Sequence, residues 1–404
     1  PIPIEMPPQL AGQQITAMAS GGGAVPRFAV GTAEGSILLL KIGITTEFSE
    51  RGERQKHPHV RAGLPIPVTT SPIVRLAYRT GDHGTVFAVA SKADRLLIVR
   101  LAADDPSGDH PLIEELPQPA GAVTALALDA LLENLFVGLS NGEVMHLALP
   151  ETGAPELRAS YPVAPPATAV TALGFLSGDR SLVVMTADGG VSTWGLVRHA
   201  EAPSGWTLSR MHVLHAHKGP VTSFAPSQRV KGFLTGDAQG NLFLHHATSS
   251  QTLLRLSTGE FPVRAVAFAP KGDGFITLDR AGQLSVYRLQ NPYPEVTLGT
   301  LFGKVWYEGY DQPAHVWQSS SGSDDVEPKL GLLPLAFGTL KGTLYALLLA
   351  VPIAILAAVC TSQFMHQDLR ATIKPIIEVM AALPTVVLGF LAGLWLAPLL
   401  ERML

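Results

Sequence analysis

The 404 residues carry a formal net charge of −4, with 47% apolar and only 15% charged side chains. That balance gives no basic footprint for nucleic acid. The single cysteine, Cys360, excludes an internal disulfide and a cysteine-based zinc site.

The length predicts two or three domains. The chain opens on Pro1 and stops at Leu404, directly after a hydrophobic run, and reads as a fragment of a longer protein. Residues 1–290 carry an internal repeat. Its first element is a short apolar strand that begins at Ile15, Ile73, Val123, Val170, Val221 and Val263, at spacings of about 42–58 residues. Four of these strands open on Ile-Thr or Val-Thr, as in Val123-Thr124-Ala125-Leu126. A second apolar strand, a tight turn and a third strand follow each anchor. The turns are Glu34-Gly35, Asn141-Gly142, Asp188-Gly189, Gln239-Gly240 and Ala281-Gly282, whereas the second repeat has Ala93-Asp94 and no glycine. Glycine supplies the positive φ that such hairpins need.

A period of 40–50 residues with several strands per repeat is the pattern of a propeller blade. One blade cannot cover its own apolar faces, but radial stacking covers both. The repeats resemble WD40-type blades, with Trp194 where that family often ends a strand and no Asp after it. The expected fold is an all-β, WD40-like propeller of six to seven blades, followed by transmembrane helices.

Residues 291–330 read as an aromatic and polar linker to a membrane. Asn291-Pro292-Tyr293-Pro294 ends the repeats, and an aromatic stretch with Trp306, Tyr307 and Tyr310 follows. Those rings suit either a membrane interface or packing on the propeller. A polar linker, 318–329, comes next, and its run Ser319 to Asp325 reads as flexible and solvated.

Residues 331–404 hold two uncharged stretches, 342–359 and 379–400. A helix crosses the bilayer core with about 20 apolar residues, so two spans are expected. Pro352 is expected to kink the first, and Lys341 to snorkel at its end. The short connection 361–377 carries Arg370 and Lys374. Its basic residues put it on the cytoplasmic side, which leaves the propeller in the periplasm.

Candidate chemistry is sparse. His212, His215 and His217, with His245 and His246, have a composition that metals favour, but His217 before Gly219-Pro220-Val221 stands where WD40-like blades place a structural histidine. The basic stretch 51–61, with Arg54, Lys56, His57, His59 and Arg61, suits phosphate or lipid headgroups, or a solvated connector. Asp104, Asp105 and Asp109 lack calcium-loop spacing. No nucleophile triad, Walker loop or dinucleotide fingerprint appears, so neither catalysis nor a cofactor is expected. Glu378, at the edge of the second stretch, is either an interfacial end-cap or a group facing the bundle interior.

The last quarter of the chain resembles the phosphate ABC transporter permease family (PstC). The matching pieces are Leu333-Pro334-Leu335-Ala336-Phe337-Gly338-Thr339-Leu340, Ala346 to Pro352, Ile377-Glu378-Val379-Met380-Ala381-Ala382-Leu383-Pro384-Thr385-Val386-Val387-Leu388-Gly389, and Leu396-Ala397-Pro398-Leu399. Trp306 to Pro313 is similar to the segment that precedes this helix in the family. The resemblance implies that the two spans are the family's second and third helices, with the propeller inserted in the first periplasmic loop. It implies a multi-pass protein of the bacterial inner membrane that moves inorganic phosphate. A second permease subunit, a cytoplasmic ATPase and a periplasmic phosphate-binding protein would be its partners. Glu378, Thr339, Thr385 and Pro384 become candidates for the transport path. The family's ATPase-coupling segment is absent from these 404 residues. The alternative is a membrane-tethered propeller acting as a sensor or interaction scaffold.

Overall fold

Each of the six anchors opens the first strand of a blade. The computed structural model describes residues 6–21, 27–48, 54–82, 84–103, 110–151, 153–202, 204–318 and 326–403. Ser319 to Asp325, Arg51, Asp104, Asp105 and Asp109 lie outside the described residues. The chain forms two units, Pro1–Leu333 and Pro334–Leu404.

The first unit is a six-bladed β-propeller of antiparallel sheets. Blade 1 is Ile15–Ser20, Arg27–Thr32, Ser36–Phe48 and Arg54–Ala62, with Ile66–Pro67 added beside the third strand. Blade 2 is Ile73–Gly81, Gly84–Ser91, Leu96–Ala102 and Leu112–Glu115. Blade 3 is Val123–Leu128, Asn134–Leu139, Glu143–Ala148 and Glu156–Pro162. Blade 4 is Val170–Phe175, Ser181–Thr186, Val191–Arg198 and Trp206–Val213. Blade 5 is Val221–Pro226, Gly232–Asp237, Asn241–His246 and Gln251–Ser257. Blade 6 has three strands, Val263–Phe268, Gly274–Asp279 and Leu284–Arg288.

The anchors explain the stacking. In every blade the register between the first two strands shifts directly after the anchor. The threonine in that bulge uses its hydroxyl on the neighbouring strand: Thr16 donates to the Gly31 carbonyl, Thr124 to that of Gly138, and Thr222 to that of Gly236. These glycines let the next anchor close on bare backbone. A Cβ on Gly138 would sit 2.7 Å from Val170 Cγ1.

Five apolar clusters fill the interfaces between consecutive blades, such as Ile37, Ile73 and Phe87 between the first two. Covered on both faces, inner strands lose the alternation of a half-buried sheet, and Ser181–Thr186 is buried throughout. Among the described residues no such cluster joins blade 6 to blade 1. Val286 on the free face of blade 6 is 76% exposed, and the free face of blade 1 is covered in part by Leu10, packed on Val30 and Leu38.

Turn chemistry follows the repeat. Gly35 has φ +84, and its carbonyl accepts the N–H groups of Val68 and Thr69, which cross over the turn. Blade 2 has Asp94 at φ 56 in the equivalent place, a region that Asp tolerates better than most residues.

After blade 6 the described residues 291–318 and 326–332 form a strap. Its one-turn helix α1, Leu298–Phe302, starts with a capping box between Thr297 and Thr300. A bridge joins Val305 to Ala314, and Trp317–Gln318 pairs with Lys329–Leu330. Of the two settings open to the aromatic stretch, the structure has packing on the blades. The Trp306 carbonyl meets His212 of blade 4 and Glu308 meets Lys231 of blade 5, and Tyr307 between them is 1% exposed.

The second unit begins with α2, Leu333–Val359, which continues as a π-helical turn, Cys360–Phe364. α2 runs through Pro352 without a break. The second apolar stretch, 379–400, is not one continuous helix. α3, Gln367–Ala381, ends at Ala382, and α4, Thr385–Leu391, starts afresh and leads through 392–396 into α5, Ala397–Glu401. The two arms meet at 95°. Pro384 has no N–H to continue α3 and drives Leu383 out of the helical region. The connection 361–377, expected as a short loop, is largely helix. Among the described residues one helix is long and apolar enough to cross a membrane, or two if the bent pair counts as one span.

Candidate functional site

Two places concentrate polar groups in apolar surroundings: the seam between strap and blades, and the C-terminal helices.

At the seam, Lys231 leads into the second strand of blade 5 and is 3% exposed. Its ammonium donates to the Ser177 carbonyl and to Glu308 Oε2, 2.7 Å away. Glu308 belongs to the strap, and its other carboxylate oxygen is buried without a partner. Its backbone N–H donates to Glu327 Oε2 at 2.7 Å, and the Thr248 hydroxyl donates to Glu327 Oε1. Two carboxylates thus share one cation. Burial and then the neighbouring Glu308 charge push Glu327 up to about 7.

His212 clamps the same seam. Nε2 faces the Trp306 carbonyl at 2.9 Å and therefore carries the proton, while Nδ1 accepts from the Ser250 hydroxyl at 2.8 Å. Burial lowers its pKa against the opposing pull of that carbonyl. Asp311 Oδ1 accepts the backbone N–H of Arg198. A cavity of about 660 Å³ beside these groups is lined by His212, Ser250, Gln251, Thr297, Lys304 and Trp306, among others.

Two more buried histidines, His217 and His245, form a chain through blade 5. Asp237 Oδ2 lies 3.0 Å from His217 Nδ1, His217 Nε2 lies 2.7 Å from Thr235 Oγ1, Thr235 Oγ1 lies 2.9 Å from His245 Nε2, and His245 Nδ1 lies 2.9 Å from Thr252 Oγ1. One proton arrangement satisfies every link. Thr252 donates to His245, His245 to Thr235, Thr235 to His217, and His217 to Asp237. Both imidazoles are then neutral. Burial lowers the pKa of His217, and it pushes His245 down to about 3. Burial alone would raise the Asp237 pKa, but hydrogen bonds from Asn241, Gln239 and His217 outweigh it and hold the group ionised. His246 Nδ1 pairs with the Ser249 hydroxyl. The rings face hydroxyls, a carboxylate and a carbonyl, and among the described residues no three His, Cys, Asp or Glu side chains converge on a metal position.

In the C-terminal unit no side chain of α2 is buried. At about 1.5 Å per residue its 27 residues extend roughly 40 Å, beyond the ~30 Å of a bilayer's hydrocarbon. Thr339 lies on α2 and turns its hydroxyl back to the Leu335 carbonyl at 2.9 Å. The other three candidates gather at the bend. Glu378 is in the last turn of α3, where its carbonyl accepts the Ala382 N–H; Pro384 caps α4; Thr385 is its first residue. Arg370 of α3 donates to the Thr361 carbonyl at 2.8 Å and to that of Ser362.

Reading along the chain missed Lys231, Glu308 and Glu327 as a set. Nothing in their local patterns marks them, and Glu327 reads as one more acid in a polar linker.

No family model matches the chain. The β-propeller domain of Cps50 (Swd1) from Myceliophteria thermophila aligns with a TM-score of 0.50 and 14% identity, over 68% of this chain and 84% of that one. At that identity the likeness speaks to the propeller fold alone. Over 78 residues the chain is 32% identical to the "Probable ABC transporter permease protein YqgH" of Bacillus subtilis (strain 168), which is 19% of this chain and 25% of that protein. The chain thus spans about a quarter of the length of the curated relative it matches, and in that part it is similar to an ABC transporter permease.

Proposed function

We propose that this chain is a membrane subunit of a phosphate-uptake ABC transporter in the bacterial inner membrane. It has no catalytic role of its own; a partner ATPase drives it, a second permease subunit completes the path, and a periplasmic phosphate-binding protein delivers the anion. One observation carries the reading: similarity to a permease occurs in a chain whose C-terminal unit starts with a bilayer-length apolar helix with no buried side chain. Exposed apolar surface of that extent is stable in lipid or against other helices, not in water. α2 and the bent α3–α4 segment supply part of a multi-pass bundle, and Glu378, Thr339, Thr385 and Pro384 lie along or beside the path. The bend exposes backbone polar groups that lipid does not satisfy, so it belongs against a protein or a water-filled cavity. The propeller sits in the periplasm as an accessory platform.

The test is uptake of radiolabelled phosphate in cells carrying the complete gene, no gene, or the gene without the propeller. Uptake lost with the gene and retained without the propeller is the expected result. Uptake indifferent to the whole gene overturns the transport reading and leaves the membrane-tethered scaffold.

A further inference from the structure

The third strand of blade 1, Ser36–Phe48, has 13 residues, whereas the third strands of blades 2–6 have 5 to 8. Its pairing with the second strand stops at Lys41, yet its pairing with the fourth continues to Phe48 and Arg54. Residues 42–48 and 54–60 therefore form a two-stranded ribbon that outruns the sheet by about 23 Å at ~3.3 Å per residue. Two strands alone are marginal in water.

The ribbon is two-sided. The register places Ile42 opposite Val60, Ile44 opposite Pro58, Thr46 opposite Lys56 and Phe48 opposite Arg54. Directly opposed residues share a face, so one face is apolar and ends in two cations. It continues the face of blade 1 on which Leu10 packs. Met6 to Gln9 line a pocket with residues 56–62, but further out Ile44 is 61% and Phe48 72% exposed among the described residues. The other face carries Lys41, Arg61, His57 and His59, with Glu47 as its described acid. The joining turn 49–53 lies outside the described residues; with its Glu50, Arg51 and Glu53 counted, 41–61 keeps a formal charge of +2 in a chain of −4.

We propose that this ribbon is a lipid-contacting finger: its apolar face, with Ile44 and Phe48, enters the interface of an anionic bilayer while Arg54 and Lys56 meet the headgroups. Apolar side chains ringed by Lys and Arg are the composition of interfacial segments, and a positive surface is drawn to anionic lipid. Strand addition by a protein is the weaker fit. The outer strand carries Pro58, which donates no hydrogen bond, and Arg54 and Lys56, which discourage pairing at an edge. The inference rests on the reading of this chain as a membrane protein.

The experiment uses the full-length protein with Cys360→Ser in nanodiscs. A fluorophore sits at Ile44→Cys, or at Leu348→Cys in α2 as a control, and quencher-bearing lipids report contact. The discs are phosphatidylcholine alone or mixed equally with phosphatidylglycerol. The expected result is quenching at position 44 roughly twofold greater in the anionic discs, lost in R54E/K56E and reduced in F48S. These residues are exposed, and an unchanged thermal melt confirms that the variants fold. Quenching at 348 but not at 44 overturns the finger and leaves the membrane reading standing. Quenching at neither position overturns both. Equal quenching in both discs overturns anionic recognition, and shielding from an aqueous quencher without lipid contact assigns the face to a protein instead.

Discussion

Lys231 Nζ lies 2.7 Å from Glu308 Oε2, and the two side chains are 3% and 6% exposed. One comes from blade 5 and the other from the strap, so this ion pair fastens the chain after the last blade back onto the propeller. Breaking it leaves Glu308 and Glu327 buried with no cation. Lys231→Met is expected to cost about 3–5 kcal/mol and to speed hydrogen exchange across 305–314. The double variant with Glu308→Gln recovers part of the loss, because one of the stranded charges is then gone. Urea denaturation and exchange mass spectrometry read both effects.

The strap responds to pH through Glu327. Its ordinary value is 4.5, and in the fold it is pushed up to about 7. Between these values the docked strap holds a proton that the released strap does not, so docking is tightest below pH 4.5 and weakens as pH rises to 7. The span is on the order of 3 kcal/mol. Glu327→Gln should abolish this slope and tighten the strap at pH 8, measured by exchange at 305–318.

Blade 5 has the opposite slope. His245 is held down to about 3 from 6.5, so its contribution is complete above pH 6.5 and drains away as pH falls toward 3. Thr235→Val removes the hydroxyl that links His217 and His245 and leaves two ring nitrogens without a partner. A loss of about 2–4 kcal/mol is expected. Thermal melts at pH 5 and 8 distinguish the two slopes, since acid strengthens the strap and weakens the blade.

Two turns with the same role should respond differently. Gly35→Ala places a Cβ 2.0 Å from the Thr69 carbonyl at φ +84, and a loss of about 2 kcal/mol or more is expected from the clash and the left-handed backbone. Asp94 already occupies φ 56 with an exposed side chain, and Asp94→Gly should change stability by no more than about 0.5 kcal/mol. Denaturation midpoints compare them.

Pro384→Ala restores an N–H at the break. The 95° between the arms should open toward a straight helix, lengthening the distance between spin labels at Lys374 and Trp395 in reconstituted protein. An unchanged distance would mean that the surroundings, not the proline, impose the bend.

What could be read along the chain was what repeats or runs locally. Ile15, Ile73, Val123, Val170, Val221 and Val263 each open a blade because strand period, bulge and turn are set by neighbours a few residues away. The apolar stretch around Ala346 to Leu356 is a helix for the same reason: an uncharged run satisfies its own backbone. The third strand of blade 1 gave no sign in its composition that it outruns its sheet, since register is settled between strands. The sharing of Lys231 by Glu308 and Glu327 was equally hidden, because those residues stand 77 and 96 positions from it and their meaning arises only when blade and strap exclude water together. Pro384 marked a place where a helix can fail, but a missing amide does not by itself tell a kink from a break, and the 95° between the arms is seen only in the folded chain. Local hydrogen bonding is written in short patterns. Burial of charge, and the direction a chain takes after its last strand, belong to groups that meet only in three dimensions.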